Sequence, residues 1–89
     1  MNEIEAVVIG KVQNVGFREF VSRHANALWL QGFVQNQGVG ELRVVAQGPE
    51  DKLERLIEHL HKGPFLAHVR DVQVLWREPT EQFTEFSIV

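Results

Sequence analysis

Apolar residues recur along this chain with two periods, and the changes of period mark its elements. From Glu3 to Lys11 the residues alternate, with Ile4, Ala6 and Val8 on one face and Val7 and Ile9 on the other. Alternation predicts a strand, and two apolar faces predict a central one rather than an edge. From Phe17 to Leu30 the spacing becomes three and four, so Phe17, Phe20, Val21, His24, Ala25 and Leu28 line one stripe of a helix. Gln31-Gly32 ends it, with Gly32 placed to take the left-handed conformation that closes many helices. A short strand, Phe33 to Asn36, enters a hairpin turn at Gln37-Gly38-Val39-Gly40. The return strand, Glu41 to Gln47, sets Leu42, Val44 and Ala46 against Glu41, Arg43, Val45 and Gln47. Gly48-Pro49 stops it, and Pro49 suits the first turn of a second helix, about Glu50 to His61. Leu53, Leu56, Ile57 and Leu60 form that helix's apolar stripe, with Asp51–Arg55 and Glu58–Lys62 paired at i,i+4 outside. After Gly63-Pro64, Val69 to Trp76 reads as a strand with Val72, Val74 and Trp76 on one face. Pro79 breaks it, and Gln82 to Val89, carrying Phe83, Phe86 and Ile88, is expected as a last short strand.

This order, strand-helix-strand-strand-helix-strand with a C-terminal strand added, predicts an α+β fold: a ferredoxin-like sandwich (βαββαβ plus a fifth strand). Two helices lie on one face of a five-stranded, mostly antiparallel sheet. That architecture hosts many unrelated activities, so it narrows function little. The 89 residues make one expected domain, 1–89, and at 44% hydrophobic composition can bury one modest core. There is no cysteine, which removes disulfides and thiol chemistry. The acidic start, Met1-Asn2-Glu3-Ile4-Glu5, is unlike a signal peptide, and no apolar run is long enough to span a membrane, so a cytoplasmic location is expected. Twelve acids against nine bases, a net charge of −3, argue against a nucleic-acid partner. A local anion site remains possible, because backbone amides and one arginine can overcome a weak overall field. With no evident apolar excess, a monomer is the default expectation.

The stretch Gly10-Lys11-Val12-Gln13-Asn14-Val15-Gly16-Phe17-Arg18 joins the first strand to the first helix. Gly10 and Gly16 permit tight bends, and Asn14 is the non-glycine type that best tolerates positive φ. Successive amides followed by a helix N-terminus form a concave set of N–H donors, and Arg18 adds a planar charged fork suited to phosphate. Bent strand-to-helix connections with a surface arginine are common, so by itself the loop reads first as a structural turn.

The same residues carry a resemblance. Gly10 to Arg18 resembles the first signature of the acylphosphatase family, G-x-V-Q-G-V-x-F-R. Gly32-Phe33-Val34-Gln35-Asn36, followed by Gly40 and Gly48, resembles the second, G-aromatic-small-x-N-x3-G-x-V-x5-G. The two motifs stand in the right order and at the right separation, and the likeness runs from Ile4 to Ile88. The resemblance implies hydrolysis of an acyl phosphate to a carboxylate and inorganic phosphate, with no metal or organic cofactor. It assigns the phosphoryl group to Arg18 and to the loop amides of Gln13, Asn14, Val15, Gly16 and Phe17, and the attacking water to Asn36. It also implies the fold already read from periodicity.

The chain departs from the pattern in four places. Asn14 replaces a glycine of the first motif, and Leu42 replaces valine in the second. The hairpin Gln37-Gly38-Val39-Gly40 lacks the usual Asp-Gly or Asn-Gly. Trp29 stands where Gly usually ends the first helix, and either lengthens that helix or adds a packing anchor. None of these removes a group with an implied role. His24, His59, His61 and His68 are spaced as structural or surface residues rather than metal ligands. Phe17, Phe20 and Phe33 are expected in the core, and Lys11 and Arg23 flank the loop. Within the same resemblance stands the acylphosphatase-like N-terminal domain of carbamoyltransferases that mature hydrogenases, which carry Pro where this chain has Glu19. From other classes come a ferredoxin-like module binding an anionic metabolite without turnover and, against the charge balance, a sheet face binding single-stranded nucleic acid.

Overall fold

The computed structural model describes residues 1–89. The alternating segments become β1 (Asn2–Lys11), β2 (Gln31–Asn36), β3 (Glu41–Gly48), β4 (His68–Arg77) and β5 (Phe86–Ile88). The two periodic stripes become α1 (Phe17–Ala27) and α2 (Glu50–Lys62). The sheet runs β4-β1-β3-β2-β5. Because both its faces are apolar, β1 takes the interior position, antiparallel to β3 on one side and β4 on the other. β2 pairs antiparallel with β3, and β5 lies parallel to β2. This is the ferredoxin-like sandwich. Both helices cover one face, where Ile4, Ala6, Val8, Leu42, Val44 and Ala46 of the sheet meet Phe17, Val21 and Ala25 of α1 and Leu53, Leu56 and Leu60 of α2. Neither helix is long and apolar enough to cross a membrane.

The end of α1 differs from the expected Leu30 and Gly32. The helix stops at Ala27, and Trp29 takes the left-handed conformation (φ 60°). The Leu30 N–H then donates to Ala25 O at 2.9 Å and the Trp29 N–H to Asn26 O at 3.0 Å. These two bonds are a Schellman closure, and they drop the buried Leu30 into the core beside Ala25. Trp29 therefore neither lengthens the helix nor anchors anything, since it is 80% exposed. Gly32 lies inside β2 instead, where a Cβ would sit 1.9 Å from Val45 O. Close approach of two strands, not helix closure, is what requires glycine there.

The opposite face is also structured, which the pattern of single residues did not reveal. Arg77 pairs with Glu3 and, at 2.8 Å, with Glu5, while Arg43 pairs with Glu5 at 2.5 Å. These are the molecule's ion pairs; Asp51–Arg55 and Glu58–Lys62, expected on α2, do not close. Glu3 is only 2% exposed, and the buried Gln47 donates to its Oε1 at 2.7 Å. Gln47 also donates to Glu81 O at 2.5 Å and accepts from the Phe83 N–H at 3.1 Å. A buried side-chain amide thus satisfies backbone groups that a strand partner would otherwise take, which is why β5 begins at Phe86 rather than Gln82. Phe33 belongs to this face and not to the core: its ring packs edge-on against Phe83 at 5.7 Å, with the Arg43 guanidinium 5.3 Å from its centroid.

Candidate active site

One end of the sheet gathers the loop after β1, the first turn of α1 and the hairpin after β2. The loop starts at a bulge, where the β1–β4 register shifts between Ile9 and Gly10. A Cβ on Gly10 would lie 2.1 Å from His68 O, so only glycine lets β1 pass this point. The Gly10 N–H donates to Gly40 O in the hairpin at 3.0 Å. Val12, buried, pins the start of the loop, after which Asn14 (φ 61°) and Gly16 (φ 76°) turn the chain into α1. Gly16 is the N-cap residue and contributes no side-chain cap.

What this backbone leaves over is a set of donors. The N–H groups of Gln13, Asn14, Val15 and Gly16 donate to no protein acceptor. Those of Phe17, Arg18 and Glu19 open α1, whose first bond is from Phe20 to Gly16 O at 3.0 Å, so the helix has no acceptor for them. Of the donor set, Asn14 and Gly16 are exposed, Gln13 and Val15 are half-buried, and Phe17 is buried. No cavity encloses it; the most enclosed hollow, about 200 Å³, lies on the far face among Glu3, Phe33, Arg43, Arg77 and Phe83. Unpaired N–H groups at a helix N-terminus favour an anion, both by direct hydrogen bonds and by the helix dipole.

Arg18 and Asn36 reach this end by separate routes. Arg18, half-buried on the first turn of α1, donates from Nη1 to Val89 O at 3.4 Å. Val89 in turn donates its N–H to Val34 O at 2.9 Å, beside the parallel Val34–Ile88 pair. Arg18 is thus tied through Val89 to Val34 of β2, two residues before Asn36 closes that strand. The Asn36 side chain is exposed and makes no hydrogen bond within the protein, which leaves its donor and acceptor both free. Of the two flanking cations, Lys11 is exposed at the end of β1, whereas Arg23 turns to the Phe20 ring, 5.9 Å from its centroid.

The side chain of Gln13 has a separate task. Its Nε2 donates to Gly38 O in the β2–β3 turn at 2.5 Å and to Glu41 O at the start of β3 at 3.1 Å. Sequence reading placed Gln13 in the loop for its backbone and missed this clamp. Its two acceptors lie 25 and 28 residues on in the chain, so no local signal could have found them.

Comparison with known proteins places the chain. A model of the acylphosphatase family matches residues 4–88. An acylphosphatase of Salinibacter ruber is 42% identical over 85 residues, covering 96% of this chain and 90% of its own length. One from Caldivirga maquilingensis is 45% identical over 86 residues, with 96% and 90% covered. The crystal structure of acylphosphatase from Bacillus subtilis superposes with a TM-score of 0.96 at 36% identity, covering 100% of this chain and 99% of that one. The chain belongs to the acylphosphatase family, and it is an enzyme of that activity class.

Proposed function

We propose that the chain hydrolyses acyl phosphates with Arg18 and the N–H groups of Gln13, Asn14, Val15, Gly16 and Phe17 holding the phosphoryl group, and with Asn36 orienting the attacking water. The observation that carries this reading is the row of unpartnered loop N–H groups beside Arg18, at the sheet end where Asn36 keeps a free amide.

The chemistry asks for little more. An acyl phosphate already has a good leaving group, so transfer of its phosphoryl group needs positioning and charge stabilisation rather than a covalent nucleophile. Water oxygen bonds to phosphorus as the bond from phosphorus to the carboxyl oxygen breaks, releasing a carboxylate and inorganic phosphate. Asn36 accepts one water hydrogen and donates to the oxygen, or to a phosphoryl oxygen, and so fixes an in-line approach. The water's other proton passes to a phosphoryl oxygen of the substrate, which serves as base. Arg18 and the loop amides neutralise the charge on the three equatorial oxygens. No residue of this set requires a metal ion. Arg18 and the loop amides address the phosphate and Asn36 the water, so none of them selects the acyl group.

The test is the decay of benzoyl phosphate absorbance in the presence of EDTA. Wild type is expected to turn over undiminished by the chelator and to be inhibited by inorganic phosphate. Arg18→Gln is expected to lose on the order of 10²-fold or more, as removal of a preorganised donor does. Asn36→Ala is expected to lose kcat while phosphate still binds. Full activity in either variant, or its loss in EDTA, refutes the assigned roles.

A further inference from the structure

We propose that the Gln13 side chain is a positioning residue, which holds the phosphoryl loop at a fixed distance from Asn36. The inference deepens the proposed function and rests on its assignment of the water to Asn36.

β1 and β3 are last paired at Ile9–Glu41, and β2 and β3 at Asn36–Leu42. Beyond these registers the loop leaves the sheet, and only two groups tie it to the hairpin. One is the Gly10 N–H on Gly40 O; the other is Gln13, whose two amide hydrogens go to Gly38 O and Glu41 O. Glu41 O also receives the Gln37 N–H at 2.9 Å, so the carbonyl that Gln13 grips is the one that closes the turn directly after Asn36. Gln13 thus offers its backbone N–H to the anion site and its side chain to the turn that follows Asn36 and to the first residue of β3. A single residue spans both halves of the reaction geometry.

The requirement is specific to glutamine. Two carbonyl oxygens must be met by two hydrogens on one atom at the reach of this side chain. Glutamate presents oxygens to oxygens, asparagine is one methylene short, and methionine matches the length without donors. Binding of phosphate depends on contiguous groups within the loop and on Arg18, so it survives loss of the clamp. Turnover depends on the distance from loop to Asn36, and displacement of a reacting group by about 1 Å costs about 10²-fold.

The experiment measures kcat, the inhibition constant of inorganic phosphate and the melting temperature for wild type, Gln13→Met, Asn36→Ala and the double variant. Gln13→Met is expected to lower kcat about 10- to 100-fold while phosphate affinity changes less than about threefold. In the Asn36→Ala background Gln13→Met is expected to add nothing, since the group it positions is gone. Gln13→Glu gives an independent readout: its protonated carboxyl regains one donor, so its kcat relative to wild type rises as pH falls through the carboxylate range. Wild-type kcat in Gln13→Met, a parallel loss of kcat and phosphate affinity, equal losses in both backgrounds, or a flat Gln13→Glu ratio overturns the proposal. Failure of the underlying reading looks different, because Asn36→Ala alone would then retain full turnover.

Discussion

Replacing Trp29 with glycine should make this protein more stable, although it deletes the largest kind of side chain. Trp29 holds φ 60° at the residue that closes α1, a conformation in which a Cβ crowds the following carbonyl. The left-handed region costs an L-residue about 1–2 kcal/mol, and glycine nothing. Against that, glycine enlarges the unfolded ensemble at a cost of about 0.4–1 kcal/mol. The indole adds little to the comparison: at 80% exposed it is hidden no more than in an unfolded chain, which already shields part of its surface. The bonds of the closure, Leu30 N–H to Ala25 O and Trp29 N–H to Asn26 O, are main-chain and survive the change. The balance is a gain centred near about 0.8 kcal/mol, or roughly 3–6 °C in melting temperature for a domain of this size. Urea and thermal unfolding followed by circular dichroism measure it, with Trp29→Ala as the control that keeps the strain and loses the ring. Turnover should not change, because Arg18 and the loop lie at the other end of the helix. The reasoning is refuted if Trp29→Gly is no more stable than Trp29→Ala, since left-handed strain would then not be what the position contributes.

Two further outcomes follow from side chains with unusual surroundings. Asn14→Gly should leave phosphate affinity within a few-fold of wild type, whereas Asn14→Val should weaken it about tenfold, because about 1–2 kcal/mol of left-handed strain at φ 61° falls on a branched residue. Equal phosphate inhibition constants for the two variants would sink that account. In acid, two groups act in separate windows. Burial against α2 pushes the His24 imidazole below its ordinary 6.5, helped by the His59 ring stacked at 3.8 Å and by Arg23. The folded protein then binds this proton less readily than the unfolded chain, so stability is complete above that value and falls as pH drops through it. Hydrogen bonding to Arg43, with the added charge of Arg77, holds Glu5 below its ordinary 4.5, so its contribution is lost only at lower pH still. Melting temperatures from about pH 7 to about pH 5 should decline in wild type and decline less in His24→Gln; identical slopes would show that His24 is not the group responsible.

How much of the molecule could be read in advance follows from the range of each interaction. The elements of the sheet and helices were legible because alternation and three-and-four spacing are properties of contiguous residues. The interior place of β1 followed from its two apolar faces, and the core residues from the stripes of α1 and α2. The donor loop was legible for the same reason, since Gln13 to Phe17 and Arg18 are neighbours in the chain and their free N–H groups arise from local turns at Asn14 and Gly16. Glycine was the ambiguous signal. The closing role that pattern assigned to Gly32 falls to Trp29, because a helix closes where the next apolar residue can reach the core, and Leu30 reaches it only if the turn falls at Trp29.

By itself, then, the sequence determined which segments pair or coil, which faces are buried and which stretch leaves its backbone donors without a partner. Tertiary structure alone decided what those segments meet. It tied Arg18 through Val89 to Val34 of β2, and it set the two hydrogens of Gln13 on carbonyls of the hairpin turn and of β3. It also gave Gln47 and Glu3 partners in the 81–83 segment and β4, turning an expected strand into a strap across the open face. The physical reason is common to all of these. A buried or half-buried polar side chain must find a hydrogen-bond partner wherever the packed backbone leaves one, and that choice depends on strand order and register rather than on its neighbours in the chain.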